Sequence, residues 1–399
     1  MQACKMIKKI TDTEQIRVIN RKLIIQALRN NGAMARVELC NVTNLSPATI
    51  TAITSDLFEI GFLKEVTAAD APQGRGRPKV TIDLNANASF VIGIQLSVNE
   101  LAFFLGDLKG EICSIQRTVI QLDKLDEKQF IQLVIDGVKK FVSFTGINFK
   151  KLSAIAIAMQ GPADSKRGII TWSPALSIRD VPICAALEDV FQVPTAIAND
   201  CDIVALAINH LKRYEADHNL VTIVLDFGVG MGALINGQLY SGSHGAATEF
   251  GHVKLDLNGP QCRCGGCGCI EAYASDYALY RESIAILGKK MPENYRPTKQ
   301  NMDEINVCLA NGNAQLQEVY DKAGFALGLG LSNLVTLLDP ERIVITGPGV
   351  AGYKFMQNKL EETMKKALPN QFSNIIEIYE WQEDLKARGV IQLALDVSD

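Results

Sequence analysis

Residues 249–271 read EFGHVKLDLNGPQCRCGGCGCIE. His252 is followed ten residues on by Cys262, then by Cys264 and Cys269. Three thiolates and one imidazole are the usual ligands of a closed, four-coordinate zinc site. Gly259, Gly265, Gly266 and Gly268 let the backbone turn tightly enough for ligands this close in sequence to reach one ion. Glu249 and Glu271 bracket the stretch, and a metal there would hold both carboxylates in place. The stretch therefore predicts a zinc ion that builds one wall of a small-molecule site. Taken alone it also accommodates a purely structural zinc, with Glu271 a surface charge.

The chain around it has 399 residues, enough for two or three domains. Hydrophobic residues at 47% and charged residues at 21% are ordinary for a globular protein. No apolar run approaches the length of a membrane span, and the opening MQACKMIKKITD lacks the apolar core of a signal peptide. A cytoplasmic location with no membrane insertion is the expectation. Ten cysteines are then reduced thiols rather than disulfides. Four of them crowd into 262–269, which metal binding explains. Residues 1–80 carry 12 Lys+Arg against 7 Asp+Glu, whereas the remainder carries 28 against 37. A basic head on an acidic body suggests that the head meets a polyanion.

The head reads as helix, turn, helix. Ile16, Ile19, Leu23, Ile24, Ala27 and Leu28 fall on one helical stripe within 14–30, which Asn31-Gly32 ends. A short helix follows over 36–41. Ser46-Pro47 opens a third, with Ser46 as N-cap and Pro47 at the first helical position. There Ile50, Ile53 and Leu57 point inward, and Ala48, Thr49, Thr51, Ala52 and Ser55 point away. Small polar residues on the outer face of such a helix suit the major groove. A plain three-helix bundle with a Ser/Thr-rich surface fits the helices equally. The stretch 62–66 reads as a strand, 80–82 begins another, and between them lies Gln73-Gly74-Arg75-Gly76-Arg77-Pro78-Lys79. Strand, basic tip and strand make a wing, with Arg75, Arg77 and Lys79 aimed at phosphates and the minor groove. A solvated linker is the other reading of that tip. The winged helix accounts for helices, strands and tip together.

From Phe90 the texture turns α/β. Three strands (90–96, 100–108, 111–122), a helix (126–145), a buried strand (152–159), a helix (185–191), a strand (195–199) and a helix (202–214) follow in order. The order then repeats, with strands at 219–228, 231–237 and 238–242, helices near 274–287 and 315–338, a strand at 342–346 and a helix at 353–368. Two copies of one pattern imply a duplicated lobe with a ligand cleft between the copies. The boundaries expected are 1–83 for the head, 84–198 for the first lobe, completed by a C-terminal helix over 383–399, and 199–382 for the second.

These residues resemble the ROK family of sugar kinases and repressors. The resemblance is most specific at Cys-x-Cys-Gly-x-x-Gly-Cys-x-Glu, Cys262 to Glu271, and at Glu-x-Gly-His, Glu249 to His252. A winged head followed by Gly-Arg-Gly-Arg-Pro is similar to the repressor branch. The resemblance implies an actin-like, hexokinase-like (ribonuclease H-like) two-lobed body. It implies zinc held by His252, Cys262, Cys264 and Cys269, with Cys267 left out. It implies sugar contacts from Asn199, Asp200, Glu249, His252 and Glu271, Asp200 standing where the kinases keep their general base. Carboxylates accept paired hydroxyls of a sugar, and a metal-bound His keeps its other ring nitrogen free. Without the resemblance, Asn199-Asp200 reads better as a helix cap.

The nucleotide side departs from the family. Gln95-Leu96-Ser97-Val98-Asn99 stands where kinases carry Asp-x-Gly-Gly-Thr, Gly228-Val229-Gly230 is expected in place of Gly-Thr-Gly, and Gly347-Pro348 in place of Gly-Gly. Phosphoryl transfer depends on positioning and charge neutralisation, so no kinase turnover is expected and no catalytic residue is assigned. The resulting expectation is a repressor that binds a near-palindromic operator as a dimer through Ser46, Ala48, Thr49, Thr51, Ala52, Arg75, Arg77 and Lys79. A sugar or sugar phosphate would release it. A sugar kinase, or control by a sugar-transport protein, are the alternatives.

Overall fold

The computed structural model describes residues 13–66, 80–211, 214, 216–243, 245, 248–290, 296–368 and 375–398. Among them, no helix is long and apolar enough to cross a membrane. The chain divides into two compact units. One runs to Gln160 and takes in Gly168–Ile197 and the stretch from Val390; the other comprises Gly161–Arg167 and Ala198–Gly389.

The first unit begins with α1 (Thr13–Asn31), β1 (Met34–Ala35), α2 (Arg36–Thr43), α3 (Pro47–Glu59), β2 (Leu63–Val66) and β3 (Thr81–Leu84). The strands form a sheet in the order β1-β3-β2, and β2 pairs antiparallel with β3. The three helices and the β2–β3 pair follow the order of a winged helix-turn-helix; Arg75, Arg77 and Lys79, expected on the tip, lie outside the described residues. Ser46 Oγ accepts from Thr49 N at 3.1 Å and Pro47 occupies the first turn, so α3 starts where the cap chemistry predicts. Its Ile50, Ile53 and Leu57 are buried in the head's core. The stripe expected on α1 is half wrong. Ile24, Ile25, Ala27 and Leu28 are buried, whereas Ile16, Ile19 and Leu23 are exposed. The buried apolar positions all fall in the C-terminal half of α1.

The body of this unit is a five-stranded sheet, β4 (Phe90–Ser97), β5 (Glu100–Asp107), β6 (Ile112–Val119), β7 (Leu152–Met159) and β10 (Thr195–Asn199), in the order β10-β7-β4-β5-β6. Short strands β8 (Ala163–Asp164) and β9 (Ile169–Ile170) lie between β7 and β10 in sequence. Helices α4 (Glu127–Thr145) and α5 (Ile183–Phe191) complete it. α4 is fixed by a capping box, Asp126 accepting from Gln129 N, and ends at Gly146 in the left-handed region.

The second unit contains α6 (Asp200–Asn209), β11 (Leu220–Leu225), β12 (Val229–Ile235), β13 (Gln238–Leu239), α7 (Glu271–Ala274), α8 (Asp276–Ile286), α9 (Lys299–Ala310), α10 (Ala314–Leu338), β14 (Arg342–Thr346), α11 (Tyr353–Ala367), β15 (Ile376–Ile378) and the start of α12 (Leu385–Ser398). Its strand order is β13-β12-β11-β14-β15. In each unit the meander supplies strands one, two and three, and the fourth strand runs parallel to the first. Both sheets thus read 5-4-1-2-3 in their own numbering, the duplication that the sequence texture implies.

α12 begins in the second unit and continues into the first. There Val390 and Ile391 fill the space beside Gly93 and Gly106 of the sheet. Near its end, the carbonyl of Asp396 accepts from Lys22 Nζ of α1 at 2.6 Å.

Candidate metal centre and the carboxylates around it

After β13 the chain makes a 3-10 turn, Phe250–His252, and then folds residues 253–270 into a compact loop. Backbone bonds knit that loop together: Leu255 N to Gly268 O at 2.8 Å, Cys262 N to Gly266 O at 2.8 Å and Ile270 N to Val253 O at 3.1 Å. Two glycines make this possible. Gly268 has φ +67°, and a Cβ there would collide with Asp256 O. At Gly251 a Cβ would strike Val229 O, so only glycine lets the turn carrying His252 lie against β12.

The loop brings His252, Cys262, Cys264 and Cys269 together, their ligand atoms all within 4.8 Å of one another. His252 Nδ1 lies 3.7 Å from Cys262 Sγ, and Cys264 Sγ lies 3.7 Å from Cys269 Sγ. Thiolates about 2.3 Å from a tetrahedral zinc stand about 3.7 Å apart, so the donor set and its spacing fit that metal. Exposed Cys267 is not among the four. Burial pushes the Cys262 thiol up to about 12, so metal binding at that sulfur would release a proton, whereas, against burial, the Cys264 thiol is held below the usual range by hydrogen bonds from the Gly266 backbone and its neighbouring thiols. Lys254 Nζ donates to Cys269 Sγ at 2.6 Å.

The imidazole has two faces. Nδ1 faces the cysteines, while Nε2 faces Glu249 Oε2 at 3.8 Å. Glu271, on the first turn of α7, is buried; its Oε2 accepts from Val229 N at 3.3 Å, and its Oε1 from Cys262 Sγ and Tyr277 Oη, both at 3.4 Å. Asn199 is the N-cap of α6: its Oδ1 accepts from Cys201 N at 2.8 Å, and its Nδ2 donates to Gly161 O at 2.8 Å. That cap starts α6 at Asp200, two residues earlier than apolar periodicity suggests. Asp200 Oδ2 accepts from Lys386 Nζ at 2.9 Å. Burial raises the Glu249 carboxyl, and Glu271 and Asp200 add to this against His252. The three carboxylates and the imidazole therefore share one electrostatic neighbourhood. Asp202 belongs to it too. It is pushed up to about 8 by burial and by Asp200 and Glu249, and its Oδ1 is buried without a hydrogen-bond partner.

The expected phosphate loop is shifted. Val229 and Gly230 are already paired in β12, opposite Leu225 and Val224, so the turn is Asp226-Phe227-Gly228. The tip of this turn therefore carries a carboxylate and an aromatic ring. Arg263 and Arg296 each stack over Phe227 at 4.7 Å. Nearby Asp276 is pushed up to about 7 by burial and by Asp226. In the first unit, Val98-Asn99 is a two-residue hairpin turn with Asn99 at φ +60°. Pro348 opens a 3-10 turn after Gly347.

On the head, Ser46, Ala48, Thr51 and Ala52 are exposed and Thr49 half-buried. The Thr51 hydroxyl donates to Pro47 O at 2.8 Å, and Ser55 to Thr51 O at 2.9 Å.

Sequence reasoning missed Lys386, Asp202, Lys254, Tyr277 and the Asp226-Phe227 tip. Asp226 and Phe227 were visible one step before the glycine pattern. Lys386 carries no local signal.

The Bacillus subtilis xylose repressor is 26% identical over 369 residues, covering 92% of each chain. The Escherichia coli K12 transcriptional dual regulator NagC is 24% identical, covering 85% of this chain and 82% of its own. A crystal structure of a ROK family transcriptional regulator, homologous to the E. coli Mlc protein, matches with a TM-score of 0.80 at 23% identity, over 96% of this chain and 97% of that one. A ROK hexokinase from Thermus thermophilus matches with a TM-score of 0.64 at 23% identity, over 76% of this chain and 97% of its own. At such identities the two structures speak for the fold. The ROK family model matches residues 91–396, and this chain belongs to that family.

Proposed function

We propose that the chain is a sugar-responsive, DNA-binding transcriptional repressor and not an enzyme. The observation that carries this is the pairing, on one chain, of a winged helix-turn-helix with a ROK body whose phosphate-side turn holds Asp226 and Phe227. A carboxylate there repels a phosphoryl group instead of cradling it, and phosphoryl transfer has little else to draw on. Relatives bearing the names xylose repressor and NagC support the reading.

His252, Cys262, Cys264 and Cys269 would hold zinc. With every position filled by protein, such a metal is structural, fixing the loop and the aim of His252 Nε2. When metal is bound, Cys262 no longer donates to Glu271, which leaves lone pairs of that carboxylate for a ligand. Asp200, Glu249 and Glu271 then offer acceptors, and His252 Nε2–H a donor, to the hydroxyls of a sugar or sugar phosphate. Asn199 serves by capping α6. A dimer would place two α3 helices on a near-palindromic operator, with Arg75, Arg77 and Lys79 on the backbone. Ligand and operator would be negatively coupled.

The test joins two measurements. A thermal-shift screen of pentoses, hexoses, amino sugars and their phosphates identifies a ligand that raises the melting point. Operator DNA is selected from a random pool. The stabilising ligand is expected to weaken operator binding. A chain that selects no sequence, or a ligand that leaves operator affinity unchanged, overturns the reading. Release by cell extract but by no sugar would point to a protein partner.

A further inference from the structure

Lys386 lies on the first turn of α12, and its ammonium meets Asp200 across 186 residues of sequence. The two side chains are only 14% and 15% exposed. Burial works against the ammonium, but Asp200 beside it, with Asp226 and Cys201 further off, holds it charged well above the usual lysine range. Among the described residues, Asp200 is its one hydrogen-bond partner. An ammonium has three donors, so two are uncommitted in a place with little water. The small exposed remainder of each side chain is what a ligand could touch. An acceptor and a donor held side by side match a sugar hydroxyl, which donates one proton and accepts through its lone pairs.

We propose that Lys386 is a ligand-contacting residue of the effector site, donating to a sugar hydroxyl whose own proton, or that of its neighbour, goes to Asp200. It sets the role of Asp200 as a fixed hydrogen-bond acceptor. This rests on the effector reading above.

The test is calorimetry with D-xylose, D-glucose, N-acetylglucosamine and N-acetylglucosamine 6-phosphate on the intact, zinc-loaded chain. Where the wild type binds one of these, Lys386→Met is expected to weaken it by about tenfold or more, with Lys386→Arg recovering part of the loss. Unchanged affinity in Lys386→Met would overturn the proposal while leaving the effector reading intact. Because Lys386→Met strands a buried carboxylate and can fail to fold, a second measurement uses the wild type alone. The slowly exchanging ammonium signal of Lys386, assigned with Lys386→Arg, is expected to shift when the same sugar saturates the site. No shift overturns the proposal. If the wild type binds no member of the panel, the effector reading fails first and takes this one with it.

Discussion

Lys254 and Cys269 are joined twice, once by a β-bridge between their backbones and once by a 2.6 Å contact from the Lys254 ammonium to the Cys269 sulfur. Three thiolates and a neutral imidazole around a divalent zinc leave one net negative charge, and the Lys254 ammonium sits where it offsets it. The purified chain is expected to hold about one zinc, and Cys264→Ser to hold less and melt lower. Lys254→Met should keep the stoichiometry but surrender its metal to a chelator several-fold faster. Colorimetric release assays measure both. Release from Lys254→Met at the wild-type rate would show the contact to be incidental.

The head separates stability from recognition. Ser46→Ala removes the cap of α3 and should cost about 1 kcal/mol in denaturant unfolding. Thr51→Ala removes a hydroxyl that only back-bonds to Pro47 O, so stability should move by no more than about 0.5 kcal/mol. Its sequence preference in a mobility-shift series should relax. Ala52→Phe should keep the melting point and lose operator binding, because the groove has no room for the ring. Intact binding by Ala52→Phe would place another surface on the DNA.

Asp202 gives a pH dependence of definite sign. Its buried carboxyl keeps its proton up to about 8, whereas the ordinary value is 3.8. Between these values the native state holds a proton that the unfolded chain has lost. The contribution to stability is full below pH 4, falls as pH rises, and levels off above 8. Asp202→Asn should flatten that slope and gain on the wild type by on the order of a few kcal/mol at pH 8. Denaturant titrations at pH 5 and 8 test this. Equal slopes in the two proteins would mean that Asp202 is ionised in the fold.

No ADP release is expected with ATP and any common hexose or amino sugar. Replacing the turn by Asp226→Gly and Phe227→Thr should leave turnover undetectable, because Asp200 remains bonded to Lys386 and the Val98-Asn99 turn of the first unit is unchanged. Turnover in the wild type would return the chain to the kinases.

What was legible in the sequence is what local chemistry encodes. The metal ligands lie within one loop, so their spacing states their meeting. Ser46-Pro47 marks the start of α3 by its own hydrogen bond. The duplication is legible because each strand of a parallel core writes its own apolar run. The phosphate-side turn was misplaced by its glycines, since register is decided by Leu225 pairing with Val229, a relation between strands. Ile16, Ile19 and Leu23 carry a helical stripe with no core beneath it, and periodicity cannot say what lies opposite. The Lys386–Asp200 bond spans residues 186 apart, and no spacing rule reaches that far.

The order in which α12 is made gives it a further meaning. Gly93 and Gly106 in the sheet, Lys22 in the head and Asp200 at the carboxylates all leave the ribosome before the α12 residues that meet them. Until residues 385–398 emerge, the nascent head lacks its Lys22 anchor and Asp200 stands as an unaccompanied charge. Translation that stalls short of Leu385 would leave the first sheet without Val390 and Ile391 against Gly93 and Gly106, and the Asp200 carboxylate without its cation.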